Sequence, residues 1–221
     1  MFTGIVEEIG KVVSRDHIPE GIRFRIGSEK VIKKLNVSDS VCVNGVCHTV
    51  TEKNKKWFEF ISVNETLKKT NIAHLKINDD VNLESSLVFG QQIGGHFVLG
   101  HVDDTGTVVS IKQVNSKSKT KSKSKNKQKD SENREYKIWI NKKHSRFVIY
   151  VGSISINGVS LTVAEVSKPK GKFFEIKAAV IPYTYNHTTF KSLSEGDKVN
   201  LEFDFLGKYV LNTVKLKTRK K

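Results

Sequence analysis

The chain is poor in the residues that staple or punctuate a fold: of 221 residues, two are cysteine, three proline and one methionine. Cys42 and Cys47 do not make the disulfide framework of a small secreted domain, and both read as reduced thiols of a cytoplasmic protein. They stand five residues apart, without the paired spacing of a structural zinc site. His48, beside Cys47, would point to the opposite face of a strand, so no metal is expected. No apolar run approaches the roughly 20 residues of a membrane span. The opening MFTGIVEEIG lacks the basic, apolar and small-residue regions of a secretion signal.

Acidic residues are also scarce, 23 Asp and Glu against 38 Lys and Arg, giving a formal charge of +15. That excess is local. Seven lysines lie between Lys117 and Lys129 with no acid among them, and Lys215, Lys217, Arg219, Lys220 and Lys221 add five more charges, which leaves about +3 for everything else. The segment SKSKTKSKSKNKQKDSENRE has too few apolar residues to offset the entropy of ordering it, and reads as a solvated surface loop. Aromatic residues do not interleave with those lysines, which argues against nucleic acid as a partner.

What the sequence does contain is a duplication. GIVEEIGKVV (Gly4 to Val13) recurs as GHVDDTGTVV (Gly100 to Val109) at an offset of 96, and VNGVCHTV (Val43 to Val50) as INGVSLTV (Ile156 to Val163) at 113. NETLKKTN matches PYTYNHTT and DDVNLE matches DKVNLE, both at 118. The first jump in offset falls across the lysine-rich stretch, which is therefore an insertion in the second copy, at about 115–135. Within each copy, short alternating runs broken by Asn-Gly pairs predict hairpins, and strands at this density predict small closed barrels. The first copy runs over 1–95 and the second over 96–204. A tail, 205–221, lies outside, with weak helical spacing in VLNTVKLK.

The motifs MFTGIVE, VNGVCHTVTE, GGHFVLGHVD and SINGVSLTV resemble, in order and spacing, those of riboflavin synthase, the lumazine-dismutating family. The match covers nearly the whole chain apart from the insertion and the tail. The resemblance implies an all-β fold of two tandem six-stranded antiparallel Greek-key-type barrels with a short C-terminal helix. It implies that two molecules of 6,7-dimethyl-8-ribityllumazine exchange a four-carbon unit, giving riboflavin and 5-amino-6-ribitylamino-pyrimidinedione, with no cofactor. It further implies a homotrimer whose sites form where the first barrel of one subunit meets the second of another, and lumazine synthase as a candidate partner.

By the same resemblance, His101, Cys47, Ser40 and Asp204 are the catalytic candidates: an imidazole for proton transfer, a thiol, a hydroxyl nucleophile or water-positioning group, and a polar partner. Ser160 stands where Cys47 does in the other copy, so the catalytic side is assigned to the first barrel. Substrate contacts follow the repeat. Gly4, Ile5 and Val6 correspond to Gly100, His101 and Val102, while Cys47, His48 and Thr49 correspond to Ser160, Leu161 and Thr162. The run Ile61, Ser62, Val63, Asn64, Glu65 and Thr66 corresponds to Ala179, Val180, Ile181, Pro182, Tyr183 and Thr184. Hydroxyls and strand backbone can bind the pyrimidine edge and ribityl chain, while apolar neighbours cover the ring. Phe2 and Thr3 are expected beside the first site. The ordinary alternative for a strand-end histidine, a small buried cysteine or a turn glycine is a purely structural role.

Three positions depart from the family pattern: Val151 where a lysine is frequent, His48 where an apolar residue is usual, and Tyr183 where glutamate is common. The tail is also short beside the family's helical extension. A lumazine- or flavin-carrying antenna protein of the same fold is the nearest rival reading. It would need one good ligand site and no catalytic set.

Overall fold

The computed structural model describes residues 1–114 and 132–218. The lysine run of the insertion and residues 219–221 lie outside the described residues, as does the expectation of a solvated loop there. Twelve strands form two closed antiparallel barrels. The first holds β1 (Glu8–Ile18), β2 (Gly21–Gly27), β3 (Ser40–Val43), β4 (Val46–Lys53), β5 (Trp57–Val63) and β6 (Asp80–Ser85) in the order β1-β2-β5-β4-β3-β6. The second holds β7 (Asp104–Val114), β8 (Asn133–Asn141), β9 (Ser153–Ile156), β10 (Val159–Val166), β11 (Phe173–Val180) and β12 (Lys198–Phe203) in the corresponding order. A short helix follows β5, α1 (Asn64–Lys69), and another follows β11, α2 (Pro182–His187).

Strand alternation builds each interior. Val41, Val43, Val46, Val50, Phe58 and Phe60 point inward in the first barrel, and Ile154, Ile156, Val159, Val163, Phe174 and Ile176 in the second. Both barrels bend at the same place, a bulge between Val12 and Ser14 in β1 and between Val108 and Ser110 in β7, which lets a long strand curl and close. Tyr136 fills the place of Phe24, and its hydroxyl donates to Phe190 O at 2.8 Å. Burial pushes its phenol up to about 12.

The Asn-Gly turns do more than reverse the chain. Asn44 and Gly45, like Asn157 and Gly158, have positive φ at both positions, the geometry that suits a two-residue hairpin. The two tips meet: a Cβ on Gly45 would lie 2.6 Å from Gly158 N, so only glycine fits. Around this contact Asn82 Nδ2 donates to Asn157 O and Asn200 Nδ2 to Asn44 O, at 2.9 and 2.8 Å. Asn82 N and Asn200 N in turn donate to Asn44 Oδ1 and Asn157 Oδ1. These buried amides are satisfied by one another across a pseudo-two-fold axis, which fixes how the barrels dock.

The tail is more helical than its spacing predicts: α3 spans Phe205–Thr218, starting just after β12. Asp204 caps its first turn, accepting Leu206 N at 2.9 Å. Lys208 Nζ then reaches Asp103 at 2.6 Å, while Phe205 lies edge-on to Phe97. Leu206, Tyr209, Val210 and Val214 remain exposed. No helix among the described residues is long and apolar enough to cross a membrane.

Candidate active site

Two stretches that precede β1 and β7, around Gly4 and Gly100, organise the site, and each lies against the barrel it does not belong to. Ser160 N donates to Gly4 O at 2.8 Å, and Cys47 N donates to Gly100 O at 2.9 Å. Val6, just before the first barrel, packs on the core of the second, while Val102 packs on the core of the first. Both glycines have positive φ, and a Cβ at either would meet Ser160 Cβ at 2.7 Å or Cys47 Cβ at 2.5 Å. Phe2 and Val98, which are equivalent in the repeat, bridge the two stretches by reciprocal backbone bonds of 2.7 and 3.0 Å.

Two buried carboxylates hold these stretches in place. Glu84, at the end of β6, accepts Thr3 N, Thr3 Oγ1 and Gly4 N at 2.6, 2.7 and 3.0 Å. Glu202, its counterpart in β12, accepts Leu99 N, Gly100 N and His101 N at 2.7, 2.9 and 3.0 Å. Burial raises both carboxyls above their ordinary value, opposed by the N–H donors aimed at them. Neither glutamate is among the residues assigned a role from the sequence. The signal was available, since the same glutamate ends both copies of the DDVNLE and DKVNLE repeat.

The remaining site residues divide into two sets. On the outer face of the first barrel, Ser40 pairs with Thr49 and Cys42 with Cys47 across β3 and β4. Phe2, Cys42 and Val98 bury one another, with Cys47 packed against them, so Phe2 lies on the Cys47 side. Burial first, then the Glu84 and Glu202 charges, pushes the Cys42 thiol well above its ordinary value, which makes Cys42 an inert packing thiol. Ile61 and Val63 end β5, and Asn64, Glu65 and Thr66 form the first turn of α1. His101, directly after the glycine on Cys47, is exposed. It lines a cavity of about 610 Å³ with Val102, Asp103, Arg146, Lys208 and Tyr209.

The second set is built alike. Ser160 and Thr162 lie on β10, with Ser153 opposite Thr162. Ala179 and Val180 end β11, and Ile181 leads into Pro182, Tyr183 and Thr184 of α2. Ile5 and Tyr183 are exposed, Tyr183 stacking on His187. Asp204 follows β12 and caps α3; nearby on β10, Ser160 Oγ lies 2.7 Å from His96 Nδ1, whose imidazole is lowered by burial and raised by the Asp204 charge.

His48 and Ser62 turn the other way, into the first barrel, so only their backbone faces outward. His48 Nδ1 lies 3.1 Å from Val46 O and Nε2 lies 3.3 Å from Ser62 Oγ. A carbonyl only accepts, so Nδ1 carries the hydrogen and Nε2 receives the Ser62 hydroxyl. Burial lowers this imidazole to about 3. The second barrel has Leu161 and Val180 in these places, both in its core. Val151, the departure from a frequent lysine, is exposed with φ of 62°, an unfavourable conformation for a β-branched residue.

A family model described as "Lumazine binding domain" matches residues 3–86 and again 99–204. Riboflavin synthase of Actinobacillus pleuropneumoniae is 35% identical over 210 residues, covering 95% of this chain and 88% of its own. Riboflavin synthase of Mycobacterium bovis is 36% identical over 212 residues, covering 95% and 96%. Among solved structures, LumP complexed with 6,7-dimethyl-8-(1'-D-ribityl) lumazine superposes with a TM-score of 0.69 at 22% identity, over 91% of this chain and 98% of that one. LumP complexed with riboflavin gives 0.72 at 21%, over 92% and 99%, which likewise speaks for the fold. With two matched lumazine-binding repeats and relatives of this identity along almost its entire length, the chain belongs to the riboflavin synthase family of enzymes.

Proposed function

We propose that the protein catalyses the dismutation of two molecules of 6,7-dimethyl-8-ribityllumazine to riboflavin and 5-amino-6-ribitylamino-pyrimidinedione, with no bound cofactor. The observation that carries this reading is the pair of equivalent but unlike strand positions: Cys47 against Gly100 on one side, Ser160 against Gly4 on the other. Two like substrates that must play different parts need two like sites with different chemistry. The first pocket draws on Cys47, Thr49, the 61–66 run and Gly100 to Val102. The second draws on Ser160, Thr162, the 179–184 run and Gly4 to Val6. In this reading residues 1–95 and 96–204 are the two lumazine-binding domains.

Reaction requires the two rings face to face, which the resemblance places across a subunit boundary. The exposed apolar residues of α3 support a homotrimer built through that helix, acting in the cytoplasm, with lumazine synthase as the supplier at hand. Holding two substrates in register would by itself lower the barrier by several kcal/mol, of the roughly 7–11 kcal/mol that positioning can supply.

The test is incubation of the purified protein with the lumazine alone, following riboflavin fluorescence and the ratio of the two products. Riboflavin and the pyrimidinedione in equal amounts are expected. LumP, a ligand carrier of the same fold, supplies the second reading, and stable lumazine binding without turnover would establish it instead.

A further inference from the structure

The connector between the barrels carries a second histidine that the assignments above leave without a part. His96 stands five residues before His101 and is half-buried, with Nδ1 2.7 Å from Ser160 Oγ. Its own N–H donates to Thr3 O at 3.1 Å. Gly95 presses so closely that a Cβ there would lie 2.7 Å from Ser160 Cβ, and Gly4 O receives Ser160 N–H from the other side. Imidazole and hydroxyl are thus held by backbone on both flanks.

The charged groups around the pair are few. Burial lowers the His96 pKa, and the Asp204 charge opposes that shift. Glu84 is occupied by Thr3 and Gly4, and Glu202 by Leu99, Gly100 and His101. Neutral near pH 7, His96 offers a bare nitrogen to the Ser160 hydroxyl.

The repeat shows what is unusual here. Ser160 corresponds to Cys47 and Ile5 to His101. His101 and His96 come from the same connector, His101 lining the cavity with Arg146 and Lys208 and His96 meeting the Ser160 hydroxyl. A thiol suits addition to a ring carbon, whereas a hydroxyl backed by imidazole suits proton transfer.

We propose that His96 and Ser160 are the proton-transfer group of the second-barrel pocket and take the acidic methyl proton of the lumazine bound there. Ser160 Oγ receives the proton from the methyl carbon as its own hydroxyl proton passes to His96 Nδ1. The C–H bond breaks, an O–H and an N–H bond form, and the electron pair left on carbon spreads into the lumazine ring. The resulting imidazolium later returns the proton by the reverse transfer. This inference rests on the proposed dismutation, and its test separates the two.

The experiment uses the full chain and the variants His96→Asn, His96→Gln, Ser160→Ala and the double variant His96→Asn/Ser160→Ala. Two readouts are taken: kcat and KM for riboflavin formation across pH, and exchange of the lumazine methyl protons in D₂O followed by NMR. His96→Asn places an amide where Nδ1 stands and keeps the hydrogen bond to Ser160, so a merely structural histidine would be rescued by it. The expected result is loss of about 100-fold in kcat and in methyl exchange, with KM changed by less than about threefold. The low-pH limb of the kcat profile should disappear, and the double variant should be no slower than the slower single one. Full activity and unchanged exchange in folded His96→Asn would overturn the inference. If the unsubstituted protein binds lumazine without making riboflavin, the dismutation reading fails, and the exchange rates of the variants against it still decide the role of His96.

Discussion

The His48–Ser62 pair inside the first barrel allows a double substitution whose outcome is set by the second barrel. There the same places hold Leu161 and Val180, both in the apolar core, so His48→Leu with Ser62→Val copies a pair this architecture already packs. Each single change strands a polar group. Ser62→Val leaves His48 Nε2 without the hydroxyl it accepts, and His48→Leu leaves the Ser62 hydroxyl without its acceptor. Either is expected to cost about 1–3 kcal/mol. The double variant should match or exceed the unsubstituted protein at pH 7, giving a coupling of at least about 1 kcal/mol. The pH dependence supplies the sign. The unfolded imidazole titrates near 6.5, while the folded one stays neutral down to about 3. Between those values the unfolded chain binds a proton that the folded chain refuses. The full stability is therefore present above pH 6.5 and falls as the pH drops, by at most about 1.4 kcal/mol per pH unit from this residue. Urea unfolding midpoints at several pH values between 5 and 7, compared between the unsubstituted protein and the variants, measure both quantities. The loss below pH 6.5 should be shallower in every variant lacking His48. Parallel pH curves, or single-variant costs that simply add in the double, would refute the account of His48 as a neutral, hydrogen-bonded core residue.

Three further outcomes follow from the same structure. Val151→Asn replaces a β-branched residue at positive φ with one that tolerates it, and should raise stability by about 1 kcal/mol, seen as a higher urea midpoint with an unchanged slope. Glu202→Gln turns one acceptor oxygen into an N–H₂ group facing backbone donors, which shifts the 99–101 stretch; kcat should fall by up to about 100-fold, with a smaller fall for a conservative change remote from these stretches such as Glu52→Gln. His101→Gln should lower kcat by about 100-fold and leave the urea midpoint nearly unchanged, because the side chain is exposed; a large drop in stability instead would point to a structural role.

The duplicated barrels were legible in the sequence because their causes are local. Alternation in SVCVNGVCHTV, the Asn-Gly turns and the shared offsets each act within a few residues, and the strands fall where those patterns lie. The insertion drawn from the sequence at about 115–135 overlaps the start of β8 at Asn133, since Asn133 to Glu135 are polar yet pair with Val114, Gln113 and Lys112. The start of α3 was illegible for another reason. Its first turn is set by the Asp204 cap and by the distant Asp103–Lys208 pair, neither of which leaves a periodic trace. In the site, motif spacing pointed to Cys47, His101 and Ser160. It could not say that Gly4 lies on Ser160, because that meeting links residues more than 100 apart. His48 and Ser62 shared a run with outward-facing neighbours, and only strand alternation distinguishes their inward side chains.

The crossing of the Gly4 and Gly100 stretches bears on how such a chain could have arisen. A half-length ancestor could complete neither pocket from its own residues, since Gly4 to Val6 cover the neighbouring barrel. Two copies exchanging their leading arms would satisfy every one of these contacts, with Phe2 meeting its own twin where it now meets Val98. Fusion of the genes would then have freed the two halves to diverge, and an excised first half should regain a pocket only by pairing with itself.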